Sequence, residues 1–211
     1  MSKRIALVTG GMGGIGTAIC KALADSGHIV ATTYSKPGKD QAWLADMKEQ
    51  GYDFHAFQCD VSDFDSCQQA VAAITEQLGP VDVLVNNAGQ AQTAPFLKMD
   101  LALWHQMLSV NLTGTLVCTQ AVLPGMVARG WGRVVNVAST AGQVGYAYVS
   151  AYCAAKHGVV GLTKSLALEM AKKGVTVNAV CPGYTETDIV RESIERIVAK
   201  TGRSAEEARA E

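Results

Sequence analysis

Thr9-Gly-Gly-Met-Gly-Gly-Ile-Gly16 stands between an apolar run, Arg4 to Thr9, and a periodic segment, Gly16 to Ser26. A short strand, a glycine-rich turn and an amphipathic helix, in that order, lay a pyrophosphate on the positive end of a helix. Glycines let the turn be tight and the backbone approach the phosphates. Here Gly10, Gly14 and Gly16 depart from the G-x-G-x-x-G spacing, which points to a particular branch of dinucleotide binders.

Working outward, the same alternation continues along the chain. Strand candidates are Arg4 to Thr9, Ile29 to Thr33, Phe54 to Gln58, Val81 to Val85, Arg133 to Val137 and Val175 to Val180. Between them lie periodic segments at Gly16 to Ser26, Gln41 to Gln50, Phe64 to Leu78, Leu101 to Arg129 and Ser150 to Lys172. Continuous apolar strands alternating with helices imply a parallel sheet covered on both faces, and right-handed crossovers make it a doubly wound, Rossmann-like α/β fold. Ligands of such sheets bind beyond the carboxyl ends of the strands. The residues with chemical potential fall there: Gly10 to Gly16 after the first strand, Asp60 after the third, Asn86 to Gly89 after the fourth, Ser139 after the fifth, Pro182 to Thr187 after the sixth.

The chain has 211 residues, 48% hydrophobic and 18% charged, which fits one domain with a sizeable core and excludes disorder. No apolar run is expected to reach bilayer-spanning length, and the N-terminus lacks the features of a signal peptide. Cytoplasmic is the default location. A formal net charge of -1 removes the electrostatic case for nucleic acid. The six cysteines (Cys20, Cys59, Cys67, Cys118, Cys153, Cys181) form no Cys-x-x-Cys and do not pair with the four histidines at zinc spacing, so they read as buried, reduced thiols and no metal site is expected.

Chemistry enters with Ser150-Ala-Tyr-Cys-Ala-Ala-Lys156, in which Tyr152 and Lys156 are four apart, and with Ser139, thirteen before the tyrosine. Positions i and i+4 share a helix face. The Lys156 ammonium is therefore expected near the Tyr152 phenol, pulling its pKa from about 10 toward the working range. A serine hydroxyl beside them would hold a substrate oxygen. Together they would move one proton, the protein's share of a hydride transfer.

An NAD site usually carries an acid at the end of the second strand for the ribose 2'-hydroxyl. This chain reads Thr32-Thr-Tyr-Ser-Lys-Pro-Gly-Lys39 there, with Asp40 the first carboxylate. Ser35, Lys36 and Lys39 would suit a 2'-phosphate, so NADP is favoured, with NAD the alternative.

On these residues the chain resembles the short-chain dehydrogenase/reductase family across its length. Thr9, Gly10, Gly14 and Gly16 match T-G-x-x-x-G-x-G, Asp60 matches the acid that receives the adenine, and Asn86-Asn-Ala-Gly89 matches N-N-A-G. Asn111, Ser139, Tyr152 and Lys156 match the catalytic tetrad. The resemblance implies Tyr152 as general acid in reduction and Ser139 orienting the carbonyl. It implies that Lys156 lowers the tyrosine pKa and holds the nicotinamide ribose, while Asn111 supports a water. It further implies cofactor contacts from Gly10, Gly14, Ile15, Gly16, Tyr34, Ser35, Lys36, Asp60, Val61, Asn87, Ala88, Gly89, Tyr152, Lys156, Pro182, Gly183, Thr185 and Thr187.

Within the family, Gly10-Gly-Met-Gly-Gly-Ile-Gly-Thr-Ala-Ile-Cys20, Met126-Val-Ala-Arg-Gly-Trp-Gly-Arg-Val-Val-Asn136 and Pro182-Gly-Tyr184 look like acetoacetyl-CoA reductases, with 3-oxoacyl-ACP reductases sharing most of these features. Tyr146-Ala-Tyr-Val149 is more apolar and aromatic than the matching segment there, and Thr93 stands where an acid is expected. The substrate is then a bulkier or less polar acyl thioester or ketone, touched by Thr93, Tyr146, Val149 and Tyr184. The resemblance implies a homotetramer, and a final helix and seventh strand beyond Ser204-Ala-Glu-Glu-Ala-Arg-Ala-Glu211. The chain is read as cut short, with residues 1–184 as the nucleotide-binding and catalytic core and 185–211 as a substrate lid. Reduction of a 3-oxoacyl thioester leads. NAD-dependent oxidation of a secondary alcohol or hydroxyacyl-CoA, and a non-catalytic nucleotide sensor, are the alternatives.

Overall fold

A computed structural model describes residues 3–185 together with Val198 and Ser204. Thr187, most of the 185–211 lid segment and the helix expected over 188–200 lie outside the described residues, apart from those two positions.

Strands β1 (Ile5–Val8), β2 (Ile29–Tyr34), β3 (His55–Gln58), β4 (Val83–Asn86), β5 (Gly132–Val137) and β6 (Val175–Val180) form one parallel sheet in the order β3-β2-β1-β4-β5-β6. That is the doubly wound order, with the direction of progression reversing between β1 and β4. All four residues of β1 and of β4 are buried, as central parallel strands require. At the edge, β6 alternates instead, with Val175 and Val177 inside and Thr176 and Asn178 outside.

Helices α1 (Gly14–Asp25), α2 (Lys39–Glu49), α3 (Phe64–Leu78), α4 (Leu101–Leu108), α5 (Gly114–Ala128) and α6 (Ser150–Met170) cover the two faces. One cluster joins Leu7, Ile74, Leu84, Val117, Met126 and Val134; the other joins Val8, Cys20, Val30, Met47, Val85 and Val137. Asp63 and Asp100 begin α3 and α4 by accepting the N–H groups of Ser66 at 2.7 Å and Leu103 at 2.8 Å. All six cysteines are free thiols, five of them buried.

Two expectations need correction. The single helix expected over Leu101 to Arg129 is divided by a π-turn, Ser109–Thr113. The Asn111 side-chain amide donates to the Met107 carbonyl at 3.0 Å, the acceptor its backbone N–H would use in an α-helix, and to the Gln90 carbonyl at 2.9 Å. The helical run Leu101–Ala128, 28 residues, is also long and apolar enough to cross a membrane, contrary to the sequence reading. Here it serves as a core helix: Met107, Val117, Cys118, Val122 and Met126 are buried.

Candidate active site

The nucleotide loop is held from two sides. Thr32 Oγ1 accepts the Gly11 N–H at 2.9 Å and Thr33 Oγ1 the Gly10 N–H at 3.2 Å. Just beyond β4, the Asn87 amide donates to the Thr9 and Gly10 carbonyls at 3.0 Å each, while Thr9 Oγ1 accepts the Asn87 and Ala88 N–H groups, also at 3.0 Å. Gly10 has φ +62, and a Cβ on Gly16 would lie 2.5 Å from the Gly10 carbonyl oxygen and 2.8 Å from Asn87 Nδ2. Both positions therefore need glycine.

The arrangement fits a dinucleotide. No side chain caps α1, its first turn carries no acid, and Gly13 and Gly14 are exposed beside Ile15, so the positive end of the helix is open to an anion. Val61 is buried against Gly114, and Asp60 is exposed with its carboxylate accepting the Ser62 N–H at 2.9 Å and hydroxyl at 2.6 Å. At the end of β2, Tyr34 is half-buried and Ser35 and Lys36 are exposed. Asp40 lies nearer this point than the sequence suggests. Its Oδ1 accepts the Gly38 N–H at 3.1 Å, and burial, then its charge, raise the Tyr34 pKa.

The catalytic candidates converge at the carboxyl edge. Ser139 ends the segment after β5 and accepts the Ala141 N–H at 3.1 Å. Tyr152 and Lys156 lie in the first two turns of α6, with Lys156 Nζ 5.6 Å from the Tyr152 ring centroid. Lys156 is 5% exposed, and its ammonium donates to the Val137 carbonyl at 2.9 Å. A Cβ on Gly89 would fall 2.8 Å from Asn111 Oδ1 and 3.6 Å from Lys156 Nζ, which places these three groups around one small space. Asn111, fully buried, is fixed there by the Gln90 N–H at 3.2 Å.

The electrostatics differ from the sequence expectation. Burial raises the Tyr152 pKa by more than the Ser139 hydroxyl lowers it. Burial instead lowers Lys156 from 10.5 to about 8. The lysine shares the tyrosine's face, but its proton is directed to a backbone carbonyl and its own desolvation dominates.

A polar chain unseen in the sequence runs behind these groups. Thr115 donates to the Asn111 carbonyl at 3.0 Å and Thr119 to the Thr115 carbonyl at 2.6 Å. Asn86 donates to Thr119 and to Asn136, each at 2.9 Å, and Asn136 to Thr163 on α6 at 2.8 Å. Every member is buried, so the turn carrying Asn111 and the helix carrying Tyr152 are held in register across β4 and β5.

Of the remaining candidates, Pro182 accepts the Thr140 N–H at 2.9 Å and so joins the segment after β6 to Ser139. Gly183 and Thr185 are exposed beyond it. Tyr146 meets Tyr184 edge-on, Val149 precedes α6, and Thr93 is exposed on the loop after β4. Gln90, Thr140 and Tyr148 are neighbours of the site that the sequence did not single out.

Residues 4–197 match the short chain dehydrogenase family. The chain belongs to this family. It is 50% identical over 202 residues to nodulation protein G of Azospirillum brasilense, covering 94% of this chain and 82% of the relative. It is 45% identical over 204 residues to acetoacetyl-CoA reductase of Cupriavidus necator, covering 94% and 83%. Among solved structures, a variant of actinorhodin polyketide ketoreductase with NADPH is similar at a TM-score of 0.93 and 41% identity, over 98% of this chain and 80% of that one. This short-chain dehydrogenase/reductase is accordingly an NAD(P)-dependent oxidoreductase.

Proposed function

We propose that the enzyme reduces a 3-oxoacyl thioester to the 3-hydroxyacyl product, with NADP as cofactor and Tyr152 as proton donor. The observation that carries this reading is the gathering of Ser139, Tyr152, Lys156 and Asn111 at the carboxyl edge, beside a glycine loop open to an anion. The cofactor, when bound, supplies the hydride. Ser139 donates a hydrogen bond to the substrate carbonyl oxygen. Tyr152, kept protonated by burial, gives its proton to that oxygen as negative charge develops there. The Lys156 ammonium near the ring stabilises the phenolate left behind, and its pKa of about 8 keeps it charged at neutral pH. Asn111 fixes the space beside Lys156 through which that proton is replaced.

The acetoacetyl-CoA reductase relative and the ketoreductase solved with NADPH support a ketoacyl substrate and NADP. Exposed Ser35 and Lys36 after β2 suit a 2'-phosphate. One observation favours NAD: the Asp40 carboxylate close to Tyr34, where a ribose hydroxyl would seek an acceptor. Steady-state reduction of acetoacetyl-CoA with NADPH and with NADH decides between them. Higher kcat/KM with NADPH is expected, with a selective loss of roughly tenfold to a hundredfold in Lys36→Ala. Equal or better use of NADH overturns the cofactor assignment, and no reduction of 3-oxoacyl thioesters overturns the substrate class.

A further inference from the structure

Three loops are tied together through the segment that joins Ser139 to Tyr152. The Thr140 N–H donates to the Pro182 carbonyl at 2.9 Å, tying the segment before α6 to the chain beyond β6. The Ala94 N–H donates to the Tyr148 carbonyl at 2.8 Å, tying the same segment to the loop after β4. Each loop brings chemistry of one kind. Residues 90–95, 140–149 and 181–185 contain no charged side chain but do contain Tyr146, Tyr148 and Tyr184. Tyr146 and Tyr184 stand edge to face, with centroids 6.3 Å apart and planes at 80°, and the Tyr146 hydroxyl donates to Thr140 Oγ1 at 3.1 Å.

Tyr148 is the unusual member. Among the described residues it alone is a non-glycine at positive φ, at 66°. Its ring does not enter the core: Tyr148 is 65% exposed and Tyr184 78%. A bulky side chain in left-handed backbone is disfavoured unless its surroundings impose it, and such residues cluster where a protein presents a group to a ligand. Here the Ala94 hydrogen bond holds the backbone and leaves the ring in solvent, four residues before Tyr152. Loops with three phenols and no charged side chain supply no ionic partner to a phosphate or carboxylate. They offer stacking and edge contacts to a flat apolar group.

We propose that Tyr146, Tyr148 and Tyr184 form an aromatic mouth that selects 3-oxoacyl thioesters ending in an aryl or other conjugated ring over the acetoacetyl thioester, with Tyr148 a specificity-determining residue. The inference rests on the 3-oxoacyl reading above and names the substrate class within it. Benzoylacetyl-CoA and acetoacetyl-CoA, which share one carrier, are compared as substrates with NADPH for the wild type, Tyr148→Gly and Tyr148→Phe. The wild type is expected to favour the benzoylacetyl ester. Glycine suits the left-handed backbone, so Tyr148→Gly keeps the loop tied while removing the ring. Its preference is expected to fall roughly threefold to tenfold, through KM, and Tyr148→Phe to retain it. A wild-type preference for acetoacetyl-CoA, or an unchanged preference in Tyr148→Gly, overturns the inference and leaves the 3-oxoacyl reading standing. Reduction of neither ester removes both.

Discussion

Replacing Lys156 by methionine is expected to destroy activity and make the protein more stable. The side chain is 5% exposed, and burial takes its pKa from 10.5 to about 8. At about 1.4 kcal/mol per tenfold in proton affinity, the folded state carries a burden of about 3 kcal/mol at pH 7. Below pH 8 the ammonium is charged in both folded and unfolded chains, so the burden is complete. As pH rises from 8 to 10.5 the folded chain gives up its proton first and the burden fades. Lys156→Met removes the charge at similar length but leaves the Val137 carbonyl without its donor, which costs about 1 kcal/mol. The net gain is about 2 kcal/mol, and for a chain of this size roughly 4 to 8 °C in Tm. Thermal denaturation of parent and variant without cofactor at pH 7 measures it directly. A variant that melts at or below the parent at pH 7 refutes the reasoning. So does a gain that persists undiminished at pH 10, because stabilisation would then have a source other than the proton on Lys156.

Tyr152→Phe keeps the ring and removes the proton donor, so kcat is expected to fall about 10²- to 10⁴-fold while NADPH still binds, as turnover and a fluorescence titration will show. Gly16→Ala forces a methyl against the Gly10 carbonyl and the Asn87 amide at 2.5 and 2.8 Å. An overpacking cost of roughly 1 to 3 kcal/mol is expected to appear as NADPH binding about fivefold to a hundredfold weaker, and unchanged affinity would remove the loop from the site. In a pH profile, kcat/KM for reduction is expected to decline above about pH 8 as Lys156 loses its charge, ahead of Tyr152, whose pKa is raised. A profile flat to pH 10 would exclude Lys156 from that role.

The strands, their parallel order and the glycine loop were legible because each depends on residues close together in sequence. Buried Val83-Leu-Val85 reads as a central strand, and a Gly-rich turn before an amphipathic run reads as a phosphate cradle wherever the rest of the chain goes. Ser139, Tyr152 and Lys156 were legible for the same reason, since a strand end and a helix fix their directions. The π-turn at Ser109–Thr113 was not, because the apolar rhythm passes through it unchanged and its cause is a carbonyl on Gln90, 21 residues earlier. Tyr148 at positive φ escaped for a similar reason: no glycine or asparagine marks the place, and the partner holding its backbone is Ala94. The upward shift of Tyr152 was not legible because spacing reports the proximity of Lys156 while burial, which sets the direction of the shift, belongs to the folded whole.

The strand order has a consequence for how the protein is made. β1 lies between β2 and β4, and the Asn87 amide that fastens the carbonyls of Thr9 and Gly10 comes 78 residues after Thr9. At the usual pace of synthesis a ribosome needs roughly 4 to 16 s to cover that distance. During that interval β1 has only β2 beside it, and the glycine turn lacks the clamp that gives it shape. A nascent chain therefore carries the letters of a nucleotide site for seconds before it can hold a nucleotide, and anything that stalls translation ahead of Asn87 prolongs the exposure of an unfinished, apolar sheet edge.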